Sequence, residues 1–166
     1  MKKLVLIRHG QAQEASSDEK DIDRILTGKG FADVNRLGRV LASKSLTPDV
    51  IVSSNAERAA LTSNIIAEGV KYDINQIRHN DVLYNASVRN MLDVVNSFRE
   101  AWKTVFVIGH NPSLSYLAEY LSNAEIGNVS PGGAVVLRAE VEFWNEISQN
   151  TMYFEQYYSP DTIPNI

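Results

Sequence analysis

The sequence predicts an α/β fold, and two observations carry that prediction. Short apolar runs rich in Val and Ile alternate with longer stretches whose apolar residues recur at helical spacing. Three of the runs end in polar turns that lead on to a helix, which is the pattern of strand-to-helix junctions. At 166 residues, 44% hydrophobic and 22% charged, the chain fits a single domain over residues 1–166 with a sizeable core. No repeat, low-complexity tract or interdomain linker interrupts it.

The first strand is read over residues 3–7, Lys3-Leu4-Val5-Leu6-Ile7, and it closes on Arg8-His9-Gly10. Residues 13–23 form a polar surface loop of the length that often carries function. A helix over residues 29–45 places Phe31, Val34, Leu37, Gly38 and Leu41 on one face, until Pro48 stops helical structure. Val50-Ile51-Val52 reads as a buried strand. Ser53, Ser54 and Asn55 then offer caps for a helix running to residue 68, with Arg58 in its first turn. A short extended segment over residues 77–83 precedes a helix capped by Ser87, in which Val88, Met91, Leu92, Val95 and Phe98 face the core. Residues 104–108 form the clearest buried strand, ending in Gly109-His110-Asn111-Pro112. Asn111 suits an N-cap and Pro112 the first helical position. The next helix buries Leu114, Leu117, Ala118 and Leu121. A turn-rich connection over residues 123–133 leads to two β segments, 134–141 and 151–157.

The charge balance of 16 Lys and Arg against 20 Asp and Glu gives −4, so no overall basic field draws the protein to nucleic acid or a membrane. An anionic ligand therefore needs a local cluster of cations. The lack of Cys excludes zinc ribbons, thioredoxin chemistry and phosphatases built on a cysteine nucleophile. It also fits a reducing compartment, and the expected location is the cytoplasm. Met1-Lys2-Lys3 resembles a signal-peptide start, yet the apolar stretch lasts only from residue 4 to 7 before Arg8. No stretch is long enough to span a membrane. Asn85-Ala86-Ser87 and Asn128-Val129-Ser130 match the glycosylation pattern but carry little weight without a secretory signal.

The junctions concentrate the chemistry. Arg8 and His9 follow the first strand, Arg58 the second, and His110 the strand over residues 104–108. If these strands are parallel, all four side chains share the carboxyl edge of one sheet, where ligands bind in open α/β folds. Two guanidinium groups and two imidazoles around helix N-termini suit a phosphate group. His79 lies away from the junctions and reads as structural or exposed. Asp21-Ile22-Asp23 has no buried strand before it, so it is not read as an aspartate nucleophile.

Three motifs also carry a family resemblance: Leu6-Ile7-Arg8-His9-Gly10, Ser53-Ser54-Asn55-Ala56-Glu57-Arg58-Ala59 and Gly109-His110-Asn111-Pro112. In order and spacing the chain resembles the histidine phosphatase superfamily. With Arg24-Ile25-Leu26-Thr27-Gly28-Lys29-Gly30 and its short length, it is most similar to the SixA-type phosphohistidine phosphatases. The resemblance implies a phosphoglycerate-mutase-like, three-layer α/β/α architecture with a mixed, mostly parallel sheet and helices on both faces. It implies a phosphoryl transfer through a covalent phosphohistidine on His9, with Arg8, Arg58 and His110 holding the nonbridging oxygens and no metal or cofactor. A neutral imidazole, with an ordinary pKa of about 6.5, is a ready nucleophile at neutral pH. Gly10, Arg24 and Asn111 are the expected substrate-binding residues, with Asp21 a candidate partner for Arg24.

Larger relatives carry an acid ahead of the helix that begins here near Ser87, and this chain has Leu83-Tyr84-Asn85-Ala86 instead, with Asp81 nearby. A positioned acid contributes about 100-fold to 10,000-fold when an alkoxide must leave. Imidazole leaves with far less help, so the departure favours phosphohistidine on a partner protein, with residues 13–23 and 84–87 as the rim of its pocket. The alternatives are a small-molecule phosphomonoesterase or phosphoglycerate-mutase-like enzyme, and a catalytically silent phosphate-binding module. A metal module built on His9 and His110 is disfavoured by the neighbouring arginines. The sequence does not define the oligomeric state.

Overall fold

The apolar runs sort by period two onto the two faces of one sheet, which is why the strands read as apolar at every position. The computed structural model describes residues 1–165. Its strands are β1 (Lys2–Arg8), β2 (Val50–Ser53), β3 (Arg78–His79), β4 (Thr104–Gly109), β5 (Ala134–Ala139) and β6 (Tyr153–Tyr158). Its helices are α1 (Gly28–Ser43), α2 (Glu57–Gly69), α3 (Val88–Asn96) and α4 (Ser113–Ser122). The sheet order is β3-β2-β4-β1-β5-β6. The β1–β4, β2–β4 and β2–β3 pairs are parallel, while β5 runs antiparallel to both β1 and β6.

Val5, Ile7, Phe106 and Ile108 pack with Val34, Leu37, Leu41 and Ile66 of α1 and α2. Leu4, Leu6, Val105 and Val107 pack on the opposite face with Met91, Leu92, Leu114 and Leu117 of α3 and α4. The three-layer α/β/α arrangement with a mostly parallel sheet is thus the one expected. Because β1, β2 and β4 are parallel neighbours, their carboxyl ends open on one edge, and the loops that follow them meet there.

Local details differ from the sequence reading where a tertiary contact decides. Phe31 is 43% exposed, because the first two turns of α1 bury Gly30 and Asp33 instead. A Cβ on Gly30 would collide with the backbone carbonyl of Gln11, so glycine lets α1 approach the loop after β1. The extended segment over residues 77–83 shortens to β3. The Asn80 side chain accepts from Val82 N–H at 2.9 Å and starts a 3₁₀ turn, Asp81–Leu83. At the start of α2 the N-cap is Ala56, which has no side-chain cap, and Ser54 Oγ accepts from the Ala56 N–H. Pro112 rather than Asn111 stands at the N-cap of α4, after a cis Asn111–Pro112 peptide bond. Ser87 caps α3 as expected, accepting from Asn90 N–H at 3.0 Å. None of the helices among the described residues is long and apolar enough to cross a membrane.

Candidate active site

The end of β1 delivers Arg8 and His9 into the crevice between its two sheet neighbours. His9 N–H donates to Gly109 O of β4 at 3.2 Å, and Gly132 N–H, just ahead of β5, donates to His9 O at 3.0 Å. The chain then turns at buried Gly10, whose N–H donates to Thr62 Oγ1 at 3.1 Å, while that hydroxyl donates to Arg58 O at 2.8 Å. The loop after β1 and the first turns of α2 are thereby locked together. Arg8, His9, Arg24, Arg58, His110 and Asn111 all line one cleft of 370 Å³. Gly10 lies beneath them, and His79 is exposed outside this cleft.

His9 Nδ1 sits 2.8 Å from Gly10 O, an acceptor only, so Nδ1 carries the proton and Nε2 the lone pair. Arg58 Nε lies 3.4 Å from that Nε2. Burial pushes the His9 pKa down to about 3, helped by the charges of His110, Arg58 and Arg8, against an upward pull from Gly10 O. Its ring lies 5.0 Å from the ring of His110, which burial and Arg58 depress to about 4. Both imidazoles are neutral at pH 7. His110 Nε2 is 2.8 Å from Ser54 Oγ, a contact that ties the end of β4 to the end of β2.

The cations are held by oxygens. Arg8 Nη1 donates to Val129 O at 2.8 Å, and its Nε is buried with no partner among the described residues. Arg58 donates through Nη1 to Asp21 O at 2.7 Å and through Nη2 to Asp21 Oδ2 at 3.0 Å. Arg24 donates through Nη1 to Asp21 Oδ1 at 2.9 Å and through Nε to Gln13 O at 2.6 Å. Tyr84 completes the group by donating to Asp21 Oδ2 at 2.6 Å, with its ring edge against His110. The hydrogen bonds from Tyr84, Arg24 and Arg58 hold the Asp21 carboxyl far below the usual carboxylate range. Asp21 therefore cannot supply a proton at neutral pH, and among the described residues no Asp or Glu lines the cleft.

Asn111 does not cap a helix here. Its Nδ2 donates to Val129 O at 3.1 Å and Asn128 Oδ1 at 2.9 Å, and its Oδ1 accepts from Ser115 at 2.8 Å, so it braces the same segment that holds Arg8. Sequence reasoning saw Asp21 only as a partner for Arg24, where the three-residue spacing is the signal. Its reach to Arg58 and Tyr84 has no local signature. Thr62 carried none either, and Ser54 read only as a helix cap, not as the partner of His110.

Residues 4–84 match the family model of the histidine phosphatase superfamily (branch 1). Phosphoglycerate mutase 1 of Saccharomyces cerevisiae is 40% identical over 70 residues, which are 41% of this chain and 28% of that protein. The chain thus matches little more than a quarter of the mutase. The structure of SixA from Nakamurella multipartitia superposes with a TM-score of 0.85 at 26% identity, covering 96% of each chain. A structure described as the protein histidine phosphatase SixA complexed with tungstate gives a TM-score of 0.78, covering 96% of this chain and 97% of its own. At 18% identity that likeness shows the fold.

Proposed function

We propose that the chain, whose residues 4–84 match the histidine phosphatase superfamily, is a metal-independent phosphatase of that superfamily that removes phosphate from phosphohistidine on a partner protein in the cytoplasm. The observation that carries the proposal is the His9 ring itself. It is neutral, fixed in one tautomer by Gly10 O, and presents Nε2 beside Arg58 in a cleft whose other cations come from Arg8 and Arg24.

In the first step the His9 Nε2 lone pair attacks phosphorus, the new N–P bond forms and the substrate's P–N bond breaks. A substrate ring that carries a proton on its other nitrogen leaves as neutral imidazole, so no acid has to act on it. In the second step water attacks the phosphohistidine on His9, giving inorganic phosphate and restoring the neutral ring. Arg8, Arg58 and His110 stabilise the charge on the nonbridging oxygens, and position and charge supply most of the rate. A phosphoryl oxygen also satisfies the buried Arg8 Nε, and its negative charge draws His110 back toward protonation. Arg24 and Asn111 support this group from the cleft wall, and Gly10 from beneath it, where its carbonyl holds His9 Nδ1.

The likeness to phosphoglycerate mutases favours a second reading, a small-molecule phosphomonoesterase. The ionised Asp21 and the carboxylate-free cleft wall speak against it, since an alkoxide leaving group needs a proton. Hydrolysis of a phosphohistidine peptide and of 3-phosphoglycerate, compared at equal concentration, tests the proposal. It predicts selectivity for the peptide, and selectivity for the glycerate ester would overturn it.

A further inference from the structure

A second and larger cleft lies at the outer edge of the sheet, and the chemistry above makes no use of it. It measures 490 Å³, runs beside the edge strand β3, and includes Val52, Val94 and Phe98 among its lining. Arg78 and Arg99 stand in its wall with their guanidinium carbons 5.0 and 5.5 Å from the Trp102 ring centroid. Neither forms an ion pair among the described residues. Other arginines of the surface find a carboxylate: Arg36 with Asp33, Arg89 with Asp93, Arg138 with Glu140 and Glu155. Two cations thus share one aromatic ring with no anion to answer them.

A guanidinium that rests on an indole keeps its in-plane N–H groups for an outside acceptor, and a carboxylate fits that fork. The neighbouring strand edge favours a polypeptide as the source. β3 is the outermost strand, so an extended segment can pair with it while its carboxylates reach the arginines. The cleft runs along the sheet from Trp102, just before the amino end of β4, up to His79, near the edge that carries His9 and His110. His79 of β3 pairs with Ser53, and the next residue, Ser54, holds His110. The His9 cleft, at 370 Å³, has room for a phosphorylated ring but little of the protein around it, so recognition of that protein falls to surfaces nearby.

We infer that the Trp102 cleft docks an acidic, extended segment of the protein whose phosphohistidine reacts at His9, with carboxylates on Arg78 and Arg99. This role rests on the phosphohistidine reading. The test titrates the full chain with a glutamate-rich peptide and with its glutamine counterpart, read by tryptophan fluorescence. The native chain and the variants Arg78→Glu/Arg99→Glu, Arg78→Gln/Arg99→Gln and Trp102→Phe are compared. Saturable binding of the glutamate peptide alone is expected, weakened roughly tenfold or more by charge reversal and less by neutralisation. The signal should vanish in Trp102→Phe. Equal response to both peptides, no saturation, or undiminished binding after charge reversal would overturn the inference, as would tighter binding of a single-stranded oligonucleotide. Turnover of free phosphohistidine in the charge-reversed variant should stay within about twofold of the native rate, since the site binds no part of that substrate. Its loss would place the cleft in the catalytic machinery and overturn docking. Hydrolysis without peptide binding would refute docking alone, whereas peptide binding without hydrolysis would refute the proposed function.

Discussion

In the His9 cleft each arginine is tied to an oxygen, whereas in the Trp102 cleft two arginines rest on an indole ring. Arg58 and Arg24 share Asp21, Arg8 holds Val129 O, and the imidazoles beside them are desolvated and neutral. Arg78 and Arg99 have only Trp102 beneath them. Tethering fixes charges in advance, which suits a transition state whose geometry never varies. Stacking leaves the charged edges mobile, which suits a partner surface whose carboxylates vary in position. One small sheet thus uses the same residue type in two ways.

That contrast is broken most severely at His9. His9→Ala should lower phosphohistidine turnover by on the order of 10⁴-fold or more, since the nucleophile is gone, and steady-state hydrolysis measures it. Next comes Arg58→Ala, with an expected loss of about 100-fold to 1,000-fold, chiefly in kcat if Arg58 acts on the transition state. Asp21→Asn sharpens the comparison by loosening a tether while leaving every cation in place. It should cost about tenfold in kcat, and Tyr84→Phe, which removes one of the three hydrogen bonds to that carboxylate, should cost less. A loss confined to KM in Asp21→Asn would mean that the tether serves binding rather than positioning.

The smallest effect is on stability. Both imidazoles have folded pKa values below their unfolded value near 6.5, so the unfolded chain takes up protons first as pH falls. The stability they contribute is complete above pH 6.5 and drains away as pH drops toward about 4 for His110 and about 3 for His9. Between pH 7.5 and 5.5 each should cost on the order of 1 kcal/mol, seen as a lower urea midpoint that is recovered in part by His9→Gln. An unchanged midpoint would show that the rings are more hydrated than this structure makes them.

Much of this site was legible in the chain because parallel strands bring their ends together whatever lies between them. Arg8, His9 and His110 stand at or just past strand ends and Arg58 in the first turn of the helix after β2, so their shared edge follows from sheet order alone. What stayed hidden depends on contacts far apart in sequence. Tyr84 meets Asp21 across 63 residues, and Arg8 finds Val129 O across 121. Phe31 was misplaced because helical period gives a face but not the depth at which the face is covered. The close approach of Gly30 to the Gln11 backbone settles that instead. The Trp102 cleft has no local signature either, since Arg78 comes from β3 while Arg99 and Trp102 follow α3.

The central claim, that His9 carries the phosphoryl group, is tested most directly by rapid quenching after mixing with a labelled phosphohistidine peptide. The account predicts transient, acid-labile and base-stable label on His9, absent in His9→Ala. Full turnover by His9→Ala would contradict it.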